Sequence, residues 1–326
     1  MKVLILGGLG FIGFHLAQKI QGIGVFIDIV DYRDLKTQDL NDQCFFENPS
    51  HRYFQHDLSS LGASFKPDTD YDYIFHLAAL LGVENVTQNP YEVMKQNAWM
   101  TISALEIGKI QKKLKKLIFT STSEVYAGTL QHYSLDFPTS EETPLTLTPL
   151  ENGRTSYMLS KIYGEALCRH AGIPYIILRP HNIYGPRMGN RHVIPQLLKK
   201  AFYLDNNGAL EVYSPTHKRT FCYIDDAVNY IIKLMMGPEK NIALNLGVEA
   251  PEISMKDLGE QIVQTTGKKI SVQSMPDTQG SPPRRVPKTT ALIAITNYEP
   301  QISLNEGLKR TFEWYRDNQF SQGDLK

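Results

Sequence analysis

Apolar and polar positions along the first half of the chain predict alternating strands and helices. Short apolar runs are predicted buried strands and cover residues 2–6, 25–30, 52–56, 73–79, 115–121 and 174–180. Amphipathic segments, predicted to be helices, cover about residues 11–20, 91–114 and 156–169. Strand, helix and strand in repeated order indicate a parallel sheet with helices on both faces. We therefore predict an α/β fold built on a doubly wound parallel sheet.

The pattern changes after Pro180, where the chain becomes irregular and richer in Pro, Asn and Arg. A late helix is predicted to begin at Ser303, because Ser303 and Glu306 have the spacing of a capping box. The predicted division is a first domain of residues 1–180, completed by about residues 221–248, and a smaller mixed α/β C-terminal lobe of residues 181–220 and 249–326.

The composition is that of an ordinary globular protein. Of the 326 residues, 42% are hydrophobic and 21% are charged, and 34 basic side chains balance 34 acidic ones. Nucleic-acid affinity depends largely on neutralising phosphates, so we predict no nucleic-acid partner. The basic cluster KIQKKLKK, residues 109–116, is predicted to be the solvated end of a helix, where cations complement the helix dipole.

The cysteines and the apolar runs indicate the cellular compartment of the protein. Cys44, Cys168 and Cys222 lie far apart without CxxC spacing, which argues against a zinc site or a disulfide framework. The N-terminal apolar run is too short for a signal peptide, and no stretch approaches the length of a membrane span. We predict a cytoplasmic protein with no metal site and no membrane contact.

A glycine-rich stretch, GGLGFIG (residues 7–13), directly follows the first predicted strand and opens a helix. Gly10 would let the backbone approach a pyrophosphate, and Gly13 would let the helix pack close to the sheet. Asp31 ends the second strand, at the spacing expected for a carboxylate that binds a ribose diol. Such a carboxylate repels a 2′-phosphate, so NAD is predicted over NADP, although Arg33 lies nearby. A tight connection without a ligand is the alternative reading of these glycines.

Two further polar positions follow predicted strands. Asp57 and Leu58 come after the third strand, where a carboxylate could accept the adenine amino group; an exposed loop aspartate explains Asp57 equally well. His76 ends the fourth strand, and we interpret it as a core histidine rather than a ligand.

Taken with the glycines, the motifs HLAA (76–79), TSTSEVY (120–126) and YMLSK (157–161) resemble the extended short-chain dehydrogenase/reductase family. Its nucleotide-sugar members are epimerases, 4,6-dehydratases and decarboxylases. RPHNIYGPRM (179–188), KRTFCYIDDA (218–227) and the RRVP around Arg285 extend the resemblance almost to the C-terminus. It implies a Rossmann domain with a second lobe, tightly held NAD, and homodimers formed through segments around 91–114 and 156–170. The cofactor-binding positions it implies are Gly7, Gly10, Phe11, Ile12, Gly13, Asp31, Asp57, Leu58, Leu77, Ala78, Ala79, Asn97, Tyr157 and Lys161.

The resemblance also implies the catalytic residues. Tyr157 and Lys161 match the family's Tyr-x-x-x-Lys pair, whose spacing places both on one helix face. Lys161 and the oxidised nicotinamide would lower the tyrosine pKa from about 10 towards neutrality. The phenolate can then take the proton of a sugar hydroxyl while hydride leaves for NAD. Thr122 falls where the family places a hydroxyl that helps to hold the reacting sugar oxygen.

Glu124 indicates a second chemical step. A simple 4-epimerase needs no carboxylate here, whereas the order Thr122, Ser123, Glu124 resembles GDP-mannose and UDP-sugar 4,6-dehydratases and UDP-glucuronate decarboxylase. In those enzymes a C4 ketone serves as an electron sink for elimination or for loss of CO2. Ser123 differs from dTDP-glucose dehydratases, which have an aspartic acid at this position. A loop carboxylate bonded to backbone amides is the alternative reading of Glu124.

The substrate-binding residues implied by the resemblance are Asn182, Arg187, His192, Arg219 and Arg285. Arginine suits this role because its planar fork pairs with phosphate through two hydrogen bonds. UDP is the default nucleotide, with GDP and CDP open. The sequence thus predicts an NAD-dependent nucleotide-sugar enzyme that oxidises C4 and then eliminates or decarboxylates. A 4-epimerase, or a non-catalytic dinucleotide-binding scaffold, is the alternative.

Overall fold

The computed structural model describes residues 1–38, 40–60, 65–278 and 280–321. Its strands are β1 (Lys2–Leu6), β2 (Phe26–Asp31), β3 (His51–Gln55), β4 (Tyr73–His76), β5 (Lys116–Thr120), β6 (Tyr175–Pro180), β7 (Ile183–Tyr184), β8 (Ala209–Tyr213), β9 (Lys218–Arg219), β10 (Cys222–Tyr223), β11 (Ile242–Leu246), β12 (Ile253–Ser254), β13 (Ser271–Met275) and β14 (Arg284–Arg285).

The helices are α1 (Phe11–Ile20), α2 (Leu40–Phe45), α3 (Val83–Gln88), α4 (Pro90–Lys109), α5 (Ala127–His132), α6 (Thr155–His170), α7 (Val193–Tyr203), α8 (Ile224–Met236), α9 (Met255–Thr266), α10 (Thr290–Thr296) and α11 (Leu304–Tyr315). Single 3-10 turns occupy Gln21–Ile23, Leu35–Thr37 and Ser123–Tyr126, and a π-helical turn, Arg316–Phe320, extends α11.

The central sheet has seven parallel strands in the order β11, β6, β5, β4, β1, β2, β3. This arrangement confirms the prediction of a doubly wound α/β sheet. The strand order reverses at β1, which lies between β4 and β2. In open α/β sheets, ligands bind beyond the carboxyl ends of the strands at such a reversal. The loops that follow β1, β4 and β5 therefore flank the expected binding crevice.

The C-terminal part of the chain is mixed α/β, as predicted. Its short strands pair as β10 with β7, β9 with β12 and β14, and β13 with β8. β11 returns to the central sheet beside β6, and α8 packs against α1. The residue boundaries of the two predicted domains stay a prediction.

The helix predicted over residues 91–114 ends earlier than expected. α4 stops at Lys109, because the side-chain amide of Gln111 donates to the carbonyl oxygen of Ile107 (2.8 Å) and accepts from the backbone N–H of Tyr71 (2.9 Å). Most of the basic cluster therefore lies in the loop before β5 rather than at the end of a helix, so that prediction was wrong in its extent.

Ser303 is the N-cap of α11, and its hydroxyl accepts from the backbone N–H of Glu306. Cys44, Cys168 and Cys222 are free thiols. Across the described ranges, no helix is both long enough and apolar enough to cross a membrane.

Candidate active site

The glycine loop between β1 and α1 is packed so closely that a side chain would not fit at Gly7 or Gly13. Gly7 has φ of +81°, and a Cβ there would lie 2.6 Å from the backbone nitrogen of Ala78. A Cβ on Gly13 would lie 2.7 Å from the carbonyl oxygen of Gly7. Gly10 is the N-cap of α1 and, being glycine, has no side chain with which to cap this helix end. A helix N-terminus with open backbone donors suits a pyrophosphate, so this loop fits the predicted dinucleotide.

Asp31 lies beside this loop at the end of β2, with its side chain buried. One carboxylate oxygen, Oδ2, accepts from the backbone N–H of Leu9 (3.1 Å). The other, Oδ1, accepts from the backbone N–H (3.3 Å) and the Nε (3.2 Å) of Arg33. The carboxylate is thus fixed against the glycine loop, where it could receive a ribose diol.

The loop after β4 forms the second wall of the crevice. Leu77 begins it, and the buried Asn97 of α4 holds its continuation. The Asn97 side chain accepts from the N–H of Leu80 (2.7 Å) and donates to its carbonyl oxygen (3.0 Å) and to Ser160 Oγ (3.1 Å). Asn97 thus fixes the loop at Leu80, next to Ala78 and Ala79, and its predicted contact with the cofactor stays a prediction.

The other positions that the sequence predicts to bind the cofactor differ in how far they are exposed. Asp57 is exposed, and its carboxylate accepts from the backbone and hydroxyl of Ser59 and from the hydroxyl of Ser60. Leu58, the next residue, is buried. Phe11 and Ile12 are half-buried in the first turn of α1.

His76 is a core histidine, as interpreted from the sequence. It is buried at the end of β4, and its Nε2 lies 3.2 Å from Thr101 Oγ1. Burial, aided by the charge of Lys161, lowers the pKa of His76 to about 3, so the ring is neutral.

Tyr157 and Lys161 lie on α6, one turn apart, facing the tip of β5. The Lys161 ammonium is buried, donates to the carbonyl oxygen of Thr120 (2.8 Å) and lies 5.7 Å from the centroid of the Tyr157 ring. Burial lowers the pKa of Lys161 to about 8. Burial and the negative charge of Glu124 raise the pKa of Tyr157, whereas a hydrogen bond with Thr122 lowers it. The tyrosine therefore needs a nearby positive charge before it can act as a base near neutral pH.

Thr122, Ser123 and Glu124 follow β5 at the entrance to a 3-10 turn. Thr122 is the N-cap of this turn, and its hydroxyl accepts from the backbone N–H of Glu124 (3.2 Å). Ser123 is buried, while the Glu124 side chain is 32% exposed and accepts from Arg285 Nη2 at 2.6 Å. The Arg285 guanidinium holds the pKa of Glu124 below its usual range, so the carboxylate is ionised.

Two strands of the C-terminal part bring a second arginine to the same place. β9 and β14 pair in parallel with Arg219 opposite Arg285. Arg219 is buried, and burial together with the charge of Arg285 lowers its pKa to about 10. Its Nη2 donates to Ser281 Oγ at 3.2 Å. Two guanidinium groups thus act on one carboxylate, Glu124, Arg285 through an ion pair and Arg219 through its charge, which leaves excess positive charge for an anionic ligand.

A third arginine, Arg154, was not predicted from the sequence. It is the N-cap residue of α6, its Nη1 donates to the carbonyl oxygen of Gly280 (3.0 Å), and its charge also lowers the pKa of Glu124. The spacing offered a signal, since a residue three positions before Tyr157 lies on the same helix face.

The remaining predicted substrate residues lie elsewhere. Arg187 forms two bonds to the buried carboxylate of Asp42 (2.7 and 2.9 Å), and its guanidinium stacks 4.3 Å from the ring centroid of Phe14. The structure therefore brings Arg219 and Arg285 to Glu124, but it docks Arg187 on the cofactor-binding half. Asn182, with φ of +44°, donates to the carbonyl oxygen of Thr220, and His192 is exposed as the N-cap of α7.

A buried ion pair supports the segment that follows β5. Arg179 of β6 binds both carboxylate oxygens of Glu165 on α6, at 2.9 and 2.7 Å. Ser121 donates to the same carboxylate (2.7 Å), and Arg179 also donates to the hydroxyl of Tyr126 (2.8 Å). This network fixes both ends of the segment that carries Thr122 and Glu124.

The geometry fits an enzyme that moves hydride between a dinucleotide and a carbon that carries a hydroxyl group. Comparison with known proteins agrees: the model of the NAD dependent epimerase/dehydratase family matches residues 3–247, and the chain belongs to this family. It is an NAD-dependent enzyme of the nucleotide-sugar epimerase, dehydratase and decarboxylase group, as the sequence predicts.

Individual relatives cover nearly the whole chain. UDP-N-acetyl-alpha-D-glucosaminuronate decarboxylase of Bacillus cytotoxicus is 31% identical over 97% of this chain and 98% of its own length. UDP-glucuronic acid decarboxylase 5 of Arabidopsis thaliana is 29% identical, covering 97% of this chain and 89% of the relative. Among solved structures, UDP-glucuronic acid 4-epimerase of Bacillus cereus, in complex with UDP-glucuronic acid and NAD, superposes with a TM-score of 0.78 at 24% identity. That superposition covers 97% of this chain and 99% of the other.

Proposed function

We propose that this protein is an NAD-dependent decarboxylase of a UDP-linked uronic acid. The observation that carries the proposal is the ion pair of Glu124 with Arg285 beside Tyr157, within a cluster that also holds Arg154 and Arg219. Three cations around one protein carboxylate favour a ligand with several negative charges, such as a sugar carboxylate linked to a diphosphate. The similarity to uronate decarboxylases supports the same choice.

The first step is oxidation at C4 of the sugar. When bound, NAD+ supplies the hydride acceptor and the positive charge that Tyr157 needs. Tyr157 takes the C4 hydroxyl proton as a general base, and Thr122 holds the same oxygen. Lys161, buried behind the tyrosine, favours the phenolate through its charge and would hold the nicotinamide ribose. Asp31, Gly7, Gly10 and Gly13 would bind the rest of the cofactor, as the family pattern implies.

The second step is loss of the carboxylate. A ketone at C4 makes the C6 carboxylate that of a β-keto acid, so the C5–C6 bond can break. CO2 leaves, and the electron pair moves to the C4 oxygen as an enolate, which Tyr157 and Thr122 stabilise through hydrogen bonds. A proton then adds at C5. Arg285 would orient the carboxylate before it leaves, and Arg219 would bind the diphosphate.

One observation favours a second candidate, 4,6-dehydration. Because Arg285 holds Glu124 ionised, Glu124 could serve as the base that removes the C5 proton. However, the residue at the expected position of a proton donor for the leaving hydroxyl is Ser123, which is a poor acid. We therefore rank dehydration below decarboxylation.

The test is to incubate the purified protein with NAD+ and, separately, with UDP-glucuronate, UDP-N-acetylglucosaminuronate, UDP-glucose and GDP-mannose. Mass spectrometry of the products distinguishes the candidates. Loss of CO2 from a uronate supports the proposal, loss of water from a neutral sugar indicates a dehydratase, and unchanged mass with altered chromatography indicates a 4-epimerase. The absence of any product, together with no reduction of bound NAD, would leave only a dinucleotide-binding scaffold.

We also propose that the protein works as a cytoplasmic homodimer. Free cysteines suit a reducing compartment, and α4 packs along α6 with Tyr91 and Tyr163 exposed on these two helices. Exposed aromatic residues are typical of protein–protein interfaces.

A further inference from the structure

Arg33 connects the end of β2 to the glycine loop. Its Nε donates to Asp31 Oδ1 (3.2 Å), and its Nη1 donates to the carbonyl oxygen of Leu9 (2.9 Å). Its backbone is fixed as well, because its own N–H donates to Asp31 and the Tyr53 hydroxyl donates to its carbonyl oxygen. The guanidinium is therefore held in one place rather than free in solvent.

The third nitrogen of this guanidinium faces the cofactor loop. Nη2 lies 3.8 Å from the position that a Cβ on Gly10 would occupy. The Arg33 side chain is 34% exposed, and among the described residues no acceptor is bound to Nη2. A fixed guanidinium with open donors at the rim of a dinucleotide site is a ready-made position for a phosphate.

Arg33 also changes the cofactor preference expected from Asp31. An aspartate at the end of the second strand selects NAD because its charge repels a 2′-phosphate, whereas a nearby arginine can accommodate that phosphate. Here the ion pair with Arg33 compensates the charge of Asp31, and the aspartate holds the arginine in position. The two residues together can therefore face either a ribose diol or a phosphorylated ribose.

We propose that Arg33 makes the adenosine end of the cofactor site an anion site, so that the protein binds NADP as well as NAD. The alternative is that Arg33 contacts a part common to both cofactors, the adenine ring or the pyrophosphate. The two readings differ in whether the effect of Arg33 depends on the 2′-phosphate.

The experiment measures nucleotide binding without any sugar substrate, so it is independent of the proposed reaction. Nucleotide-stripped full-length protein is titrated calorimetrically with NAD+, NADP+, AMP and adenosine 2′,5′-bisphosphate. We expect the wild type to bind NADP+ within about tenfold of NAD+, since one fixed cation offsets the carboxylate. Arg33→Ala should weaken both 2′-phosphorylated ligands by about tenfold or more, the loss expected for one charge-assisted bond, and change NAD+ and AMP by less than about threefold.

Two controls make the result decisive. Arg33→Lys keeps the charge but not the fork, and should retain part of the NADP+ affinity. Arg310→Ala removes an exposed arginine of α11, away from the cofactor loop, and should change nothing. The proposal is overturned if wild type binds NADP+ more than about a hundredfold more weakly than NAD+, or if Arg33→Ala weakens all four ligands equally. Retained NAD+ binding shows that the variant is folded.

Discussion

Glu124 and Tyr157 interact electrostatically at the tip of β5, and their pKa values move in opposite directions. Arg285 lowers the pKa of Glu124, while burial and the charge of Glu124 raise the pKa of Tyr157. Two titratable groups whose environments separate their pKa values can take different roles in one site. Glu124 is the permanent anion, and Tyr157 is the group that exchanges a proton.

This coupling predicts the pH dependence of C4 oxidation. Glu124→Gln removes a negative charge that raises the pKa of Tyr157, so the phenolate should form at lower pH. Because the rate of oxidation rises with pH through this pKa, the rising limb should move to lower pH in the variant. The measurement is the pH profile of NAD reduction by a UDP-sugar in single-turnover experiments, which does not require decarboxylation.

Tyr157→Phe is the control for this experiment, and it should reduce the oxidation rate by about 10²–10⁴-fold at every pH. A Glu124→Gln profile that coincides with the wild type would show that the two groups are not coupled.

At the scale of elements, the Glu165–Arg179 pair joins α6, β6 and the tip of β5. Both side chains are 3% exposed, so removing one partner leaves the other charge buried. We expect Glu165→Gln to lower the free energy of unfolding by about 3–5 kcal/mol. Replacing both partners, with Glu165→Gln and Arg179→Met, should cost less than the sum of the single changes, as measured by urea denaturation.

Glu106→Gln is the matched control for this pair, because it removes an exposed ion pair with Lys109 on α4. It should cost less than about 1 kcal/mol. Equal losses for Glu165→Gln and Glu106→Gln would contradict the importance of the buried pair.

The sequence predicted elements well where burial along the chain defines them. After Lys2, β1 is a continuous apolar run, so it was predicted at its observed bounds, residues 2–6, and α1 was predicted at residues 11–20. The late helix was placed by a local cap at Ser303. The end of α4 was missed, because it depends on the contact of Gln111 with Tyr71, which lies far away in the sequence.

For the site, the sequence predicted which residues take part better than it predicted how these residues are arranged. The sequence named Glu124, Arg219 and Arg285 as site residues. Their proximity depends on the pairing of β9 with β14, and strands of two residues are too short to show a periodic pattern in the sequence. Arg187 was grouped with the other arginines because of its motif. The structure pairs it with Asp42, a contact between segments that sequence spacing cannot reveal.

At the scale of the whole molecule, the predicted dimer interface and the active site share two helices. α6 carries Tyr157 and Lys161, and α4 carries Asn97, which holds the loop after β4. If two copies pack through α4 and α6, dimer formation would stiffen the helices that position these residues. Assembly and activity should then change together.

Tyr163→Arg tests this idea, because Tyr163 is 48% exposed on α6 and a charged side chain is unfavourable in the core of an interface. We expect the wild type to sediment as a dimer at micromolar concentration and the variant to dissociate, with kcat falling on dilution. Tyr133→Arg, at a 66% exposed position after α5, should leave both properties unchanged. A monomeric wild type, or a Tyr163→Arg variant that stays dimeric, would exclude this face as the interface. A variant that dissociates with undiminished kcat would show instead that α4 and α6 hold the site without help from a second copy.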